Sequence, residues 1–409
     1  MNMNNQAEKR ILLLLLVLLV SPWIVGAETG VRSTLELYTS AFRGQNNTWY
    51  FTGTGKADLR FESLGNSNMR AQAALEFYPF DVTGAPMGIS VPAVQLDRFW
   101  IKAKFPGWRL TAGKTKLAWG NGSIFNSGDI LFGSLNPFVD FTESSQRDDT
   151  SWLTAVNIPT GRFSFLEAVV LPPNLVWDGT SLTIPQAQGT SGGLRYFFRA
   201  GSWKLETGYL YKGDAKVTGD LLGHRPYFSF HGHAGVDLYG AVSMAAGWDS
   251  SANVNRQTWE QVASTVNLSI GAFHQFQVGY DSTLTLRLET LLMPWQSWTA
   301  LRFNEVLEGG GYYGMMIYPE ITWNLRSTWF ASIQSLISPV DASAQITGTV
   351  GWYVFQGFTL LGFVTVNAGE ESDLFAFDRS GDWPAPGGNS WPASTVNGMA
   401  VTFGARYSY

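Results

Sequence analysis

Thr48-Trp49-Tyr50-Phe51-Thr52-Gly53-Thr54-Gly55-Lys56-Ala57-Asp58-Leu59-Arg60-Phe61-Glu62 is the stretch on which the fold class turns. Its odd positions from Trp49 to Phe61 are apolar or glycine, and its even positions run from Thr48 through Lys56, Asp58 and Arg60 to Glu62. A period of two puts successive side chains on opposite faces of a strand, here one greasy and one wet. The pattern recurs. Met69, Ala71, Ala73, Leu75 and Phe77 alternate with Arg70, Gln72, Ala74, Glu76 and Tyr78. Phe99, Ile101, Ala103 and Phe105 alternate with Arg98, Trp100, Lys102 and Lys104. Further along, Leu284, Leu286 and Leu288 oppose Thr285, Arg287 and Glu289, and 343–354 repeats the scheme. These runs exceed the ~5–6 residues usual in soluble sheets and reach the about 9–11 that a tilted membrane-crossing strand needs.

The wet face carries full charges, and aromatics gather at strand ends, as where Phe105 and Trp108 flank Pro106-Gly107. Both features fit a membrane barrel, whose apolar face meets lipid between aromatic girdles and whose polar face lines a lumen. Closure gives every backbone N–H and C=O a partner, which hydrocarbon demands. The rival is a secreted sandwich with its apolar faces stacked on each other. Charged residues make up 14% of the 409, against about 25% in soluble domains, while aromatics also reach 14%. With 27 Lys+Arg against 32 Asp+Glu there is no basic excess for a nucleic-acid partner. The absence of Cys excludes disulfides and thiolate chemistry.

The order Lys9-Arg10, the apolar run Ile11–Val20, Pro22 and Val25-Gly26-Ala27 predicts a cleaved secretory signal over 1–27, the barrel then occupying 28–409. The run is too short for a spanning helix, which needs roughly 20 residues. Strands are expected at 31–41, 48–61, 69–78, 94–105, 108–119, 150–158, 161–171, 191–200, 202–212, 226–237, 240–248, 264–280, 283–293, 312–324, 327–337, 343–355, 357–367 and 396–409. That is 18, an even count in which short periplasmic turns alternate with long outer loops. The glycines Gly232, Gly235 and Gly240 leave 224–280 open to another division, with 16 strands as the alternative.

The chain closes on Arg406-Tyr407-Ser408-Tyr409, an alternating strand with a terminal aromatic. With the export signal and the alternation, this resembles bacterial outer-membrane porins. The passage Ala112–Leu131, with Trp119-Gly120-Asn121-Gly122, Asn126, Asp129 and the apolar pair Ile130-Leu131, resembles the strand-to-loop passage of alginate-export-like and related porin families. The resemblance covers about twenty residues in detail and implies passive passage of small hydrophilic solutes. It also implies outer-membrane lipid and lipopolysaccharide as surroundings, and assembly machinery that reads the aromatic last strand. A homo-oligomer is compatible with it.

Motifs for chemistry fail their context. Gly113-Lys114-Thr115 sits inside a strand and lacks the upstream glycine of a phosphate loop. Gly189-Thr190-Ser191-Gly192-Gly193 fits the nucleophile-elbow pattern but opens a strand, not a helix; a barrel hydrolase using Ser191 is the remote reading. His231-Gly232-His233 could present two imidazoles on one face, a weak metal signal. No catalytic residue, cofactor or metal is assigned.

The charges are more informative. Lys56, Arg60, Arg70, Arg98, Lys102, Lys104, Arg109, Arg195, Arg199 and Lys204 are assigned to the inner face, with fewer acids, among them Glu167, Glu206 and Glu289. Lys114 and Lys116 join them only if Gly113 is a bulge that flips the register. A barrel of this size leaves an aqueous bore. Loop 120–149, with a short helical turn capped by Ser127, is expected to fold inward, its Asp129, Asp140 and Glu143 facing the basic wall. The reading from sequence is thus a non-enzymatic outer-membrane channel with a basic-leaning lumen. The alternative is a surface adhesin or structural barrel binding partners through its outer loops, with 368–395 the richest in Trp and Pro.

Overall fold

A computed structural model describes residues 29–43, 49–66, 68–83, 94–132, 150–173, 176–177, 182–183, 187–213, 223–246, 259–301, 312–370, 373–375 and 398–409. The expected signal and the acids Asp140 and Glu143 lie outside them. Eighteen antiparallel strands form one sheet: β1 (Thr29–Arg43), β2 (Trp49–Asn66), β3 (Met69–Thr83), β4 (Val94–Phe105), β5 (Trp108–Thr115), β6 (Ser151–Gly161), β7 (Ser164–Leu171), β10 (Ser191–Ala200), β11 (Trp203–Tyr211), β12 (His224–Ala234), β13 (Val236–Ser243), β14 (Asn267–Gln277), β15 (Ser282–Leu292), β16 (Met315–Leu325), β17 (Trp329–Ser338), β18 (Ser343–Phe355), β19 (Phe358–Ala368) and β20 (Met399–Ser408). The two-residue strands β8 (Val176–Trp177) and β9 (Leu182–Thr183) pair only with each other, between β7 and β10. A short α-helix, α1 (Trp259–Ala263), precedes β14, and a 3-10 turn occupies Ala187–Gly189 before β10.

Each barrel strand pairs with its neighbours in the chain, and β7 pairs with β10. The last strand returns to the first, Thr34 opposite Ser408 and Phe42 opposite Ala400, so the sheet has no free edge. The count of 18 holds and 16 does not. In the ambiguous region the turn falls at Gly235, whose φ of 80° suits a tight reversal that a side chain would strain, so β12 ends before the expected boundary and β13 begins at Val236.

The apolar face points outward. Leu37, Phe51, Ile333 and Phe403 are 57–71% exposed, although each lies within a long paired strand. A soluble sandwich would bury them; a membrane-spanning barrel gives them to lipid. Stacked aromatics mark the short-turn ends, Phe105 on Trp108 at 4.1 Å and Trp329 on Trp352 at 5.1 Å. The inner face is not uniformly wet. Trp119, Ile130, Leu131, Leu153, Ala155, Val169, Leu210 and Tyr227 form one buried apolar cluster. Ile124, Phe125, Leu291, Met293, Tyr313, Met316, Tyr318, Leu336, Leu374 and Phe375 form another. Both are built where chain folded into the barrel covers the wall.

Candidate functional site: the inward segment 116–132 and its wall

Strand β5 stops at Thr115, four residues before the expected end, because the chain then leaves the sheet for the interior. Trp119 is fully buried. Its Nε1 donates to Glu167 Oε1 (2.9 Å), and its ring stacks on Tyr227 at 5.6 Å. A Cβ on Gly193 would stand 2.8 Å from the Trp119 ring, so the wall needs a glycine there. Arg195 bridges the two wall acids, reaching Glu167 at 2.7 Å and Glu206 at 3.2 Å, and donates to Ala118 O at 3.0 Å. Glu206 also accepts from Gly120 N (2.9 Å) and from the Tyr227 hydroxyl.

A second anchor is Glu289, 1% exposed. It accepts from three successive amides, Ser123 N at 2.7 Å, Ile124 N at 2.8 Å and Phe125 N at 2.9 Å, and from the Tyr239 hydroxyl. Arg287 donates to Ser123 Oγ (2.7 Å) and to Glu320 Oε2 (3.0 Å). Ser127 N donates to Ser269 Oγ at 2.9 Å. A loop inside a barrel cannot leave amides unpaired, since each would forfeit its hydrogen bond to water. Wall carboxylates supply the acceptors.

Within the described part of the segment, Trp119, Gly120 and Ser123 offer N–H groups to wall acids on β7, β11 and β15. Asp129 is buried, and its Oδ1 accepts from Phe132 N at 3.4 Å. The expected helical turn is absent, 127–132 being a series of turns. Asn126 does the capping expected of Ser127: its Oδ1 accepts from Gly128 N (3.0 Å) and its Nδ2 donates to Trp119 O (2.9 Å). Residues 373–375 also reach inward. Leu374 N donates to Asp341 Oδ2 at 2.8 Å, and Leu374 and Phe375 join the apolar cluster of Phe125. Nothing in the sequence marks this contact, because both partners lie in irregular chain.

Apart from Arg195 and Arg287, the assigned cations lie elsewhere on the wall. Lys56, Arg60, Arg70, Arg98, Lys102, Lys104, Arg109, Arg199 and Lys204 share a face with the inner residues Gln72, Glu76 and Glu206, opposite the exposed Phe51, Met69, Ile101 and Leu194. Lys56 is paired with Glu76 at 2.8 Å, Arg60 with Asp58 at 3.3 Å and Arg98 with Asp97 at 3.2 Å. The ladder passes Gly113 without a register shift, so Lys114 lies opposite the outward Phe99 and Trp152, and its Nζ donates to Leu96 O at 2.5 Å. The flip on which an inward Lys114 depended is therefore not made: Gly113 meets the Phe99 carbonyl too closely for a Cβ, but stays in register. Lys116 lies between β5 and the inward turn.

Ser191 Oγ accepts from Gly213 N at 3.0 Å. His224 contacts Tyr209, His233 contacts Asp237 and His274 contacts Phe276. His231 lies opposite Lys204 and Tyr239, and no metal-binding group of three or more side chains is gathered among the described residues.

No family model and no curated protein matches the chain. Solved structures do. A BenF-like porin from Pseudomonas fluorescens superposes with a TM-score of 0.53 at 10% identity, over 93% of this chain and 98% of that one. The fold is that of an outer-membrane porin. OccAB3 of Acinetobacter baumannii (TM-score 0.51, 10% identity, 93% and 99% coverage) and OccK2 of Pseudomonas aeruginosa, solved with glucuronate (0.52, 10%, 93% and 96%), share the porin barrel.

Proposed function

We propose that the chain is a diffusive outer-membrane channel for small hydrophilic solutes that favours anions, its bore narrowed by 117–132. The observation that carries this reading is the division of the wall. The acids Glu167, Glu206 and Glu289 are buried under the inward segment and saturated by its donors. Arg70, Lys102, Lys104, Arg109, Arg199 and Lys204 stay exposed. Docking thus withdraws negative charge from the bore and leaves a positive surplus, although the chain as a whole carries −5. Rings of like charge set ion preference in pores of this kind. No reaction or cofactor is required. Export by the 1–27 signal and insertion guided by the aromatic last strand belong to the same reading. Planar-bilayer recording in a potassium chloride gradient tests it: a reversal potential on the chloride side supports the reading, and a potassium-side value or no conductance overturns it.

A further inference from the structure

Arg32 stands opposite Arg60, but Glu62 and Asp58 relieve that pair; at the short-turn end of the barrel three other cross-strand pairs set like charges directly opposite each other: Arg70 with Lys102, Lys104 with Arg109, and Arg199 with Lys204. Directly opposed like charges destabilise a sheet. One such pair is an accident of composition; three, all inward and all within a few residues of the strand ends at Met69, Phe105, Trp108, Ala200 and Trp203, are a cost repeated along one arc. All six side chains are exposed, and none forms an ion pair with a carboxylate among the described residues. Inward acids on those strands are already held: Glu76 by Lys56, Glu167 by Arg195 and Trp119, and Glu206 by Arg195 and Tyr227.

The arc also has apolar, polarisable ground. Lys102 Nζ stands 4.4 Å from the centre of the Trp100 ring, whose Nε1 donates to Gln72 at 2.8 Å. Phe165 on β7 and Phe197 on β10, the strand that carries Arg199, stack at 4.9 Å. Low-dielectric walls beside fixed charge focus the field into the bore. Opposed residues place their Cβ atoms ~5 Å apart, so the two cationic heads can address different oxygens of one small anion. Guanidinium groups add forked donors matched to phosphate or carboxylate. A monovalent ion can satisfy one head; only an ion with several charged oxygens relieves the repulsion of a pair.

We propose that this arc is a binding subsite for multivalent oxyanions, of the oligophosphate or polycarboxylate class, at the short-turn mouth. The proposal deepens the anion-channel reading and rests on it for its role in passage, but binding itself is measurable without conduction. Inorganic pyrophosphate, citrate and acetate are titrated into the purified barrel by calorimetry and, separately, into the bath during chloride-current recording. Pyrophosphate or citrate is expected to bind, and to block the current, at concentrations at least tenfold below acetate. The stronger of the two names the oxyanion class. Lys104→Gln and Arg199→Gln should each weaken binding several-fold and flatten its salt dependence, while Lys104→Arg keeps it. Equal affinity for acetate and the multivalent ions, or unchanged binding in the neutral variants, overturns the proposal. Binding without any channel conductance would sink the channel reading and leave the subsite standing.

Discussion

At Glu289 one carboxylate takes donations from three backbone amides and a tyrosine hydroxyl. Its burial is tolerable because its lone pairs are filled, and its loss would strand the amides. Glu289→Ala is expected to cost about 3–5 kcal/mol, the range for removing one partner of a buried charged network, read as a lowered unfolding midpoint of the purified barrel. Glu289→Gln, which keeps an acceptor of the same shape, should cost clearly less. Gly193 makes a different demand. Its missing Cβ is the space of the Trp119 ring, so Gly193→Ala should displace the tryptophan, seen as a red-shifted emission against the unsubstituted protein. Residue identity alone does not reveal either role. An inward Glu preceded by a leucine, or a glycine near a strand's start, reads as ordinary pattern; only the partner brought from 70 or more positions away makes it an anchor or a slot.

Strands are the most legible elements. The expected 343–355, 94–105 and 191–200 agree with the structure to the residue, because lipid on one side and polar contents on the other impose a strict period of two. The segment after Thr115 departs from the expected strand for the same reason run in reverse: once Trp119 finds Glu167 and Tyr227, interior contacts outweigh continuation of the ladder. Trp119→Ala removes a fully buried ring and one charged hydrogen bond. It is expected to cost about 3–5 kcal/mol and, by loosening the inward segment, to raise single-channel conductance. Unchanged conductance in a folded variant would mean that 117–132 does not limit the bore. An inward course for 120–149 was expected from its length. Which wall it docks on was not, since loop amides have no side-chain signature and their need for acceptors becomes visible only with the acids in place.

For the whole molecule, the outward face must match hydrocarbon. Ile333, 60% exposed, lies in mid-strand on β17, so Ile333→Arg should destabilise the barrel by about 2–4 kcal/mol when folded in lipid bilayers, an effect shrinking for positions nearer the turns. The proposed anion preference would be collective too: neutralising any one exposed cation should shift the reversal potential slightly, and neutralising Arg70, Lys104 and Arg199 together should remove most of it, provided fixed charge on that arc sets selectivity. By itself the sequence determined the class of protein, a count of 18 strands with 16 left open in 224–280, and the face most strand residues present, because alternation is a local consequence of two unlike solvents. Only the tertiary structure decided the closure partners in 224–280, the docking of 117–132 on wall acids, the inward reach of Leu374 and Phe375, and the register that keeps Lys114 off the lumen. Those contacts join segments distant along the chain through amides and carboxylates that have many equivalent partners, and the choice among them is made by geometry when the sheet closes.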